Sequence, residues 1–176
     1  MLKYPSPKTP GPKPKTTGNF KLATCGDYKP HCFSSAPPTD DLESSEWFVK
    51  PFTYTSSTPE QAYAQLKQAV LDYPPGQANI DGGGWEIKTE IRDGNRFYMY
   101  VQFESLRKGY IDDMEFSLAE GQVDVRTSSR LGYLDLGVNA ARYNWFATRL
   151  GHVDGWKTSL ITPSTAPEYF SLNSRG

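Results

Sequence analysis

The densest chemistry in this chain lies between Gly109 and Leu150. Asp112 and Asp113 are adjacent, and Glu115 follows. Arg126, Thr127, Ser128, Ser129 and Arg130 come next, then Tyr133, Asp135, Asn139 and Arg142. Paired carboxylates can do acid–base work when their environments push their pKa values apart. Arginines at this density can also form an anion pocket, with Asp112 or Asp113 polarising a group on the ligand. The candidate polar site is therefore Asp112, Asp113, Arg126, Ser129, Arg130, Tyr133, Asp135, Asn139 and Arg142. The remaining inventory is thin. His31 stands beside Cys32, and His152 falls just after a helical stretch; neither is a convincing general base. Ser34-Ser35 and Ser128-Ser129 have no evident His partner. No zincin motif, nucleophile elbow or dinucleotide fingerprint occurs. No catalytic residue, metal or cofactor is assigned.

The same residues have a structural reading. A two-residue turn at Glu120-Gly121 pairs Leu118 with Val123, Phe116 with Val125 and Met114 with Thr127 on a core face. On the other face Glu115 lies across from Arg126 and Asp113 across from Ser128. Cross-strand pairs of opposite charge contribute roughly 0.2–1 kcal/mol each. Asp112 falls on the core side opposite Ser129, where a carboxylate needs donors. Arg130 and backbone amides near Gly132 are the candidates. Asp135 is placed to cap a helix. Asp112, Arg130 and Tyr133 are left without a settled structural task.

The elements that must position these groups follow from periodicity. Trp47 to Tyr54 reads as a short strand, made an edge strand by Pro51. Thr58-Pro59-Glu60-Gln61 is a capping box opening a helix whose apolar face is Tyr63, Leu66, Val70 and Tyr73. Pro74-Pro75-Gly76 ends it. Gly82-Gly83-Gly84 lacks the P-loop lysine and reads as a flexible loop. Period two then governs. Trp85, Ile87, Thr89 and Ile91 share a face, Asp93-Gly94 signals a turn, and Phe97, Met99, Val101 and Phe103 share a face. Asn139, Tyr143, Phe146 and Leu150 recur at helical spacing, with Gly151 as the expected C-cap. The expected fold is α+β: an antiparallel meander with two helices on one face, in the order β-α-β-β-β-β-α.

Composition divides the 176 residues into three parts. Residues 1–39 form a Pro- and Lys-rich arm, expected to be extended, with Cys25 and Cys32 as a candidate disulfide. Two unpaired thiols are the other option. Residues 40–150 form the domain. Residues 151–176 are expected as an extended tail pinned by Trp156, Tyr169 and Phe170. With 19 Lys+Arg against 20 Asp+Glu, no basic excess points to nucleic acid. No apolar run spans a bilayer, and the first residues show no secretory leader.

Cys32-Phe33-Ser34-Ser35, Gly109 to Phe116, and Arg126 to Asn139 together resemble the family DUF1499, over about Cys25 to Leu150. The resemblance implies bacterial envelope, cyanobacterial and plastid proteins, and no established activity. His31 stands where the family often has Asn. Ala140 and Ala141 stand where basic residues usually follow the asparagine, leaving Arg142, so an anion site there would be weakened. The expectation is a non-catalytic peripheral subunit or assembly factor of a photosynthetic thylakoid membrane complex. It would be photosystem-associated, on the lumenal side of a plastid thylakoid or else the stromal side, and would be gripped by its arm and tail. The competing expectation is a periplasmic or lumenal module that binds a small anion or is a weak hydrolase.

Overall fold

A period-two pattern with short turns builds the frame. In the computed structural model, which describes residues 20–25, 30–37 and 47–174, the strands are β1 Cys32–Ser34, β2 Phe52–Tyr54, β3 Gly84–Asp93, β4 Arg96–Glu104, β5 Ile111–Ala119, β6 Gln122–Ser129 and β7 Trp156–Lys157. The helices are α1 Pro59–Leu71, α2 Val138–Gly151 and α3 Pro167–Asn173. The sheet order is β3-β4-β5-β6-β2-β7, with β1 also paired to β6. All named strand pairs are antiparallel. The fold is the expected α+β meander with helices on one face.

The β5–β6 hairpin has the expected register. Leu118 faces Val123, Phe116 faces Val125, Met114 faces Thr127, Glu115 faces Arg126, Asp113 faces Ser128 and Asp112 faces Ser129. Parity then fixes the faces. Asp112, Met114, Phe116, Thr127 and Ser129 point toward the helices, and Asp113, Glu115, Arg126 and Ser128 point away. Helix α1 opens as its sequence dictates. The Thr58 hydroxyl accepts from the Gln61 N–H, and the Gln61 side chain accepts from the Thr58 N–H. Phe146 of α2 is fully buried against Tyr73, Phe103 and Phe116, with ring centroids 5.2–6.3 Å away.

Several expectations are corrected. Strands β4, β5 and β6 are largely buried on both faces, not one. Phe20, Leu22 and Ala36 cover Tyr98 and Tyr100 on the side away from the helices. A bulge between Ile87 and Thr89 splits the expected face of β3. Trp85 and Ile87 pack on the helix side, whereas Ile91 joins Tyr98 on the back. One extra residue reverses every side chain beyond it. Pro51 does not mark an edge, because it precedes β2, which lies between β6 and β7. Gly82 and Gly83 are closely packed rather than loose, and Gly84 already belongs to β3. A Cβ on Gly82 would lie 2.9 Å from Leu106 Cβ, and one on Gly83 would lie 2.8 Å from the Glu104 carbonyl oxygen. Gly151 is helical, and α2 is capped at His152. The β3–β4 turn residues are Gly94 and Asn95.

The chain beyond Gly151 is not an extended tail. Trp156 enters the sheet beside Tyr54, and Tyr169 of α3 is fully buried. Cys25 and Cys32 are joined by a disulfide. That bond ties the segment covering the back of the sheet to β1. Residues 1–19, 26–29 and 38–39 of the expected arm lie outside the described residues.

Candidate functional site

Arg142 organises the helix side. It lies one turn into α2 and is fully buried, so its donors need partners inside the protein. Its Nε donates to Asp81 Oδ2 at 2.9 Å, and its Nη2 to Asp81 Oδ1 at 2.7 Å, a bidentate pair. Nη2 also reaches Asp112 Oδ2 at 2.6 Å. Nη1 donates to Asn139 Oδ1 at 3.0 Å and to the Thr127 hydroxyl at 3.3 Å. The guanidinium lies 4.6 Å from the Phe103 ring centroid, within cation–π range. Burial opposes its charge, but Asp81 and Asp112 outweigh burial and hold its pKa well above the ordinary arginine value.

A second tier locks these groups. The Tyr73 hydroxyl donates to Asp81 Oδ2 at 2.6 Å. Asn139 Nδ2 donates to the Ser129 hydroxyl, the His31 carbonyl and Asp135 Oδ2. Asp135 caps α2 from two residues before its left-handed N-cap, Gly137. Its carboxylate accepts from the N–H of Gly137 at 2.9 Å and of Asn139 at 3.1 Å. It also accepts from the Tyr169 hydroxyl at 2.8 Å. Asn173 of α3 accepts from the N–H groups of Asp135 and Leu136. The C-terminal segment therefore helps hold the start of α2.

This network floors a cleft of about 600 Å³. Asp81, Asp112, Ser129 and Asp135 line its base, and Leu106, Tyr110, Leu131, Leu134 and Leu136 line its walls and mouth. Two of the mouth residues are more than half exposed, Leu106 at 57% and Leu136 at 55%. Three lining residues, Asn79, Asp81 and Leu136, have left-handed backbone, with φ of 62°, 53° and 57°. Such conformations cost on the order of 1 kcal/mol and persist where surrounding contacts over-determine them. Asp112 is the carboxylate most affected. Burial pushes its pKa up, Arg142 offsets part of this, and Asp81 adds to the rise, leaving it at about 6.

The back of the sheet carries a separate network. Arg130 donates through Nε and Nη2 to the two oxygens of Asp113, each at 2.9 Å. The Tyr100 hydroxyl donates to Asp113 Oδ1 and accepts from Arg130 and Gln102. Glu115 accepts from the Tyr98 hydroxyl at 2.8 Å and from Arg126 at 3.5 Å. Arg126 also donates to the Ser128 hydroxyl at 3.1 Å, while its Nε has no partner among the described residues. Burial pushes the Glu115 pKa up against the pull of Tyr98 and Arg126.

The nine residues of the expected site thus divide. Asp112, Ser129, Asp135, Asn139 and Arg142 converge on the helix side. Asp113, Arg126 and Arg130 lie behind the sheet, and Tyr133 is exposed on the connecting loop. The expected donors to Asp112 are Arg130 and the backbone amides near Gly132; the observed donors are Arg142 and Ser129, and Arg130 serves Asp113. Asp113 sits opposite Ser128 in register but bonds to Arg130 and Tyr100. The three arginines do not form one anion pocket, because residues 126 and 130 share a parity that places them on the opposite face from Arg142. Asp81, Tyr73 and Tyr169 belong to the cleft network and were not anticipated. No helix among the described residues is long and apolar enough to cross a membrane.

Comparison with protein families matches residues 21–150, most of the chain, to a family described as "Protein of unknown function (DUF1499)". No curated protein and no solved structure matches the chain.

Proposed function

We propose that this chain, which belongs to the DUF1499 family, is a non-catalytic docking subunit or assembly factor of a larger membrane protein complex. One observation carries the reading. Among the described residues the buried arginines are each paired with a carboxylate, while the mouth of the cleft presents Leu106, Tyr110, Leu134 and Leu136 to solvent. Apolar side chains gathered at a concave surface suit a protein partner. The complex we propose is photosynthetic and photosystem-associated, in a plastid thylakoid membrane. The Cys25–Cys32 disulfide favours its oxidising, lumenal side. The proline- and lysine-rich sequence of the arm supplies a second grip on the partner.

An anion-binding module would need an available guanidinium. Arg126, Arg130 and Arg142 each face a carboxylate instead. The test is mild detergent extraction of native membranes carrying a tagged chain, followed by gradient sedimentation. Cosedimentation with a large pigmented complex is expected, and Leu134→Lys should release the chain. A wild-type chain sedimenting alone as a 19.7 kDa protein would overturn the reading.

A further inference from the structure

The cleft joins apolar walls to a floor whose charges do not balance. Among the described residues three carboxylates, Asp81, Asp112 and Asp135, line it, and one guanidinium, Arg142, faces two of them. Asp81 is fully engaged by Arg142 and Tyr73, and Asp135 by the start of α2 and Tyr169. Asp112 shares Arg142 with Asp81 and accepts from Ser129, and its side chain remains 12% exposed toward the cleft. The walls above it are Ile80, Leu106, Leu131, Leu134, Leu136 and Val138. A group that satisfies both parts carries a positive charge at the tip of an apolar stem.

We infer that the cleft takes an aliphatic ammonium, presented as a lysine side chain of the docking partner, with its methylene stem against the leucines and its nitrogen at Asp112. The identity of the donor rests on the docking reading; the chemistry of the cleft does not. A cation here replaces the missing positive charge in a low-dielectric floor, where charge pairing is strongest. The stem buries against residues otherwise open to water. Arginine fits less well, because its planar fork seeks a bidentate carboxylate, and Asp112 already gives one oxygen to Arg142. A carboxylate or phosphate ligand would meet like charge. The adjoining hollow, which shares Asn79, Ser105, Leu106 and Tyr110, is also lined by Arg107 and Lys108.

Two arms test this. In the first, amide NMR shifts of Ser129, Leu134 and Val138 are followed at pH 7.5 on titration with n-butylammonium, n-butanol or butyrate. Saturable binding of butylammonium is expected, about tenfold tighter than butanol, with none for butyrate. Asp112→Asn should bring ammonium and alcohol within about twofold, and lowering the pH to 5 should weaken ammonium binding in the wild type. Equal binding of ammonium and alcohol, preferential binding of butyrate, or no saturable shift would overturn the cleft chemistry. In the second arm, native-membrane capture is compared for wild type and Asp112→Asn, with folding checked by the unchanged amide spectrum outside the cleft. Capture weakened about tenfold by Asp112→Asn supports a partner lysine. Full capture by Asp112→Asn overturns that assignment while the docking reading stands. If wild type captures nothing, the docking reading and the partner lysine both fall, and selective butylammonium binding then marks a site for a free amine.

Discussion

The two faces of the sheet use the same side chains to different ends. Behind the sheet, Asp113 meets Arg130 and Glu115 meets Arg126, one cation to one anion, with Tyr98 and Tyr100 completing the carboxylate shells. Phe20 and Leu22 pack with these two tyrosines. On the helix side Arg142 alone faces Asp81 and Asp112, Asp135 lies close by, and the ensemble opens into a cleft. Residue type does not separate structure from function here. Stoichiometry and shape do: a balanced pair holds the fold, whereas an unbalanced set at the base of a cleft can take a ligand.

The sharpest way to break this contrast is to remove each central cation. Arg142→Leu leaves two buried carboxylates facing each other and should cost about 3–5 kcal/mol in urea unfolding. Arg130→Leu strands only Asp113, to which the Tyr100 hydroxyl still donates, and should cost about 1–3 kcal/mol. Equal losses would erase the distinction.

Acid titration sharpens it further. The folded-state pKa of Asp112, about 6, lies above its ordinary value, so the folded protein holds that proton more tightly than the unfolded chain does. Its contribution therefore makes stability fall as pH rises from about 4 to about 6, by on the order of 2–3 kcal/mol. Asp112→Asn should remove this slope. Glu115 is also raised and contributes the same sign, so the comparison of the variant with wild type, rather than the raw curve, isolates Asp112. A wild-type slope unchanged in Asp112→Asn would contradict the assignment.

Breaking the Cys25–Cys32 link by double replacement with Ser should cost about 2 kcal/mol, the loop-closure value for so short a loop. The loss should loosen the cover over Tyr98 and Tyr100 while leaving the cleft amides in place. The smallest effect on stability belongs to the cleft mouth. Leu134→Lys should change unfolding by no more than about 0.5 kcal/mol while abolishing capture of the partner.

Much of this was legible in order of locality. The β5–β6 register follows from a two-residue turn and period two, which is why Asp112, Asp113, Glu115 and their facing residues are placed by sequence alone. The Thr58–Gln61 cap is equally local. The contact that defines the cleft is not, because Asp81 reaches Arg142 across 61 residues of chain from a loop without periodicity. Arg130 was assigned to the wrong acid because it lies beyond the last paired residue of β6, where parity still points it toward Asp113. The bulge in β3 carries no glycine or proline marker, and the burial of Tyr169 depends on Asp135 and Phe33, both distant in sequence.

The most direct test is the carboxyl carbon titration of every aspartate and glutamate by NMR. With Asp112 set over an unbalanced, water-facing floor, its midpoint should fall near pH 6, and Arg142→Leu should move it higher still. A midpoint for Asp112 at or below about 4 would show a fully compensated carboxylate, and the distinction between the two faces would fail.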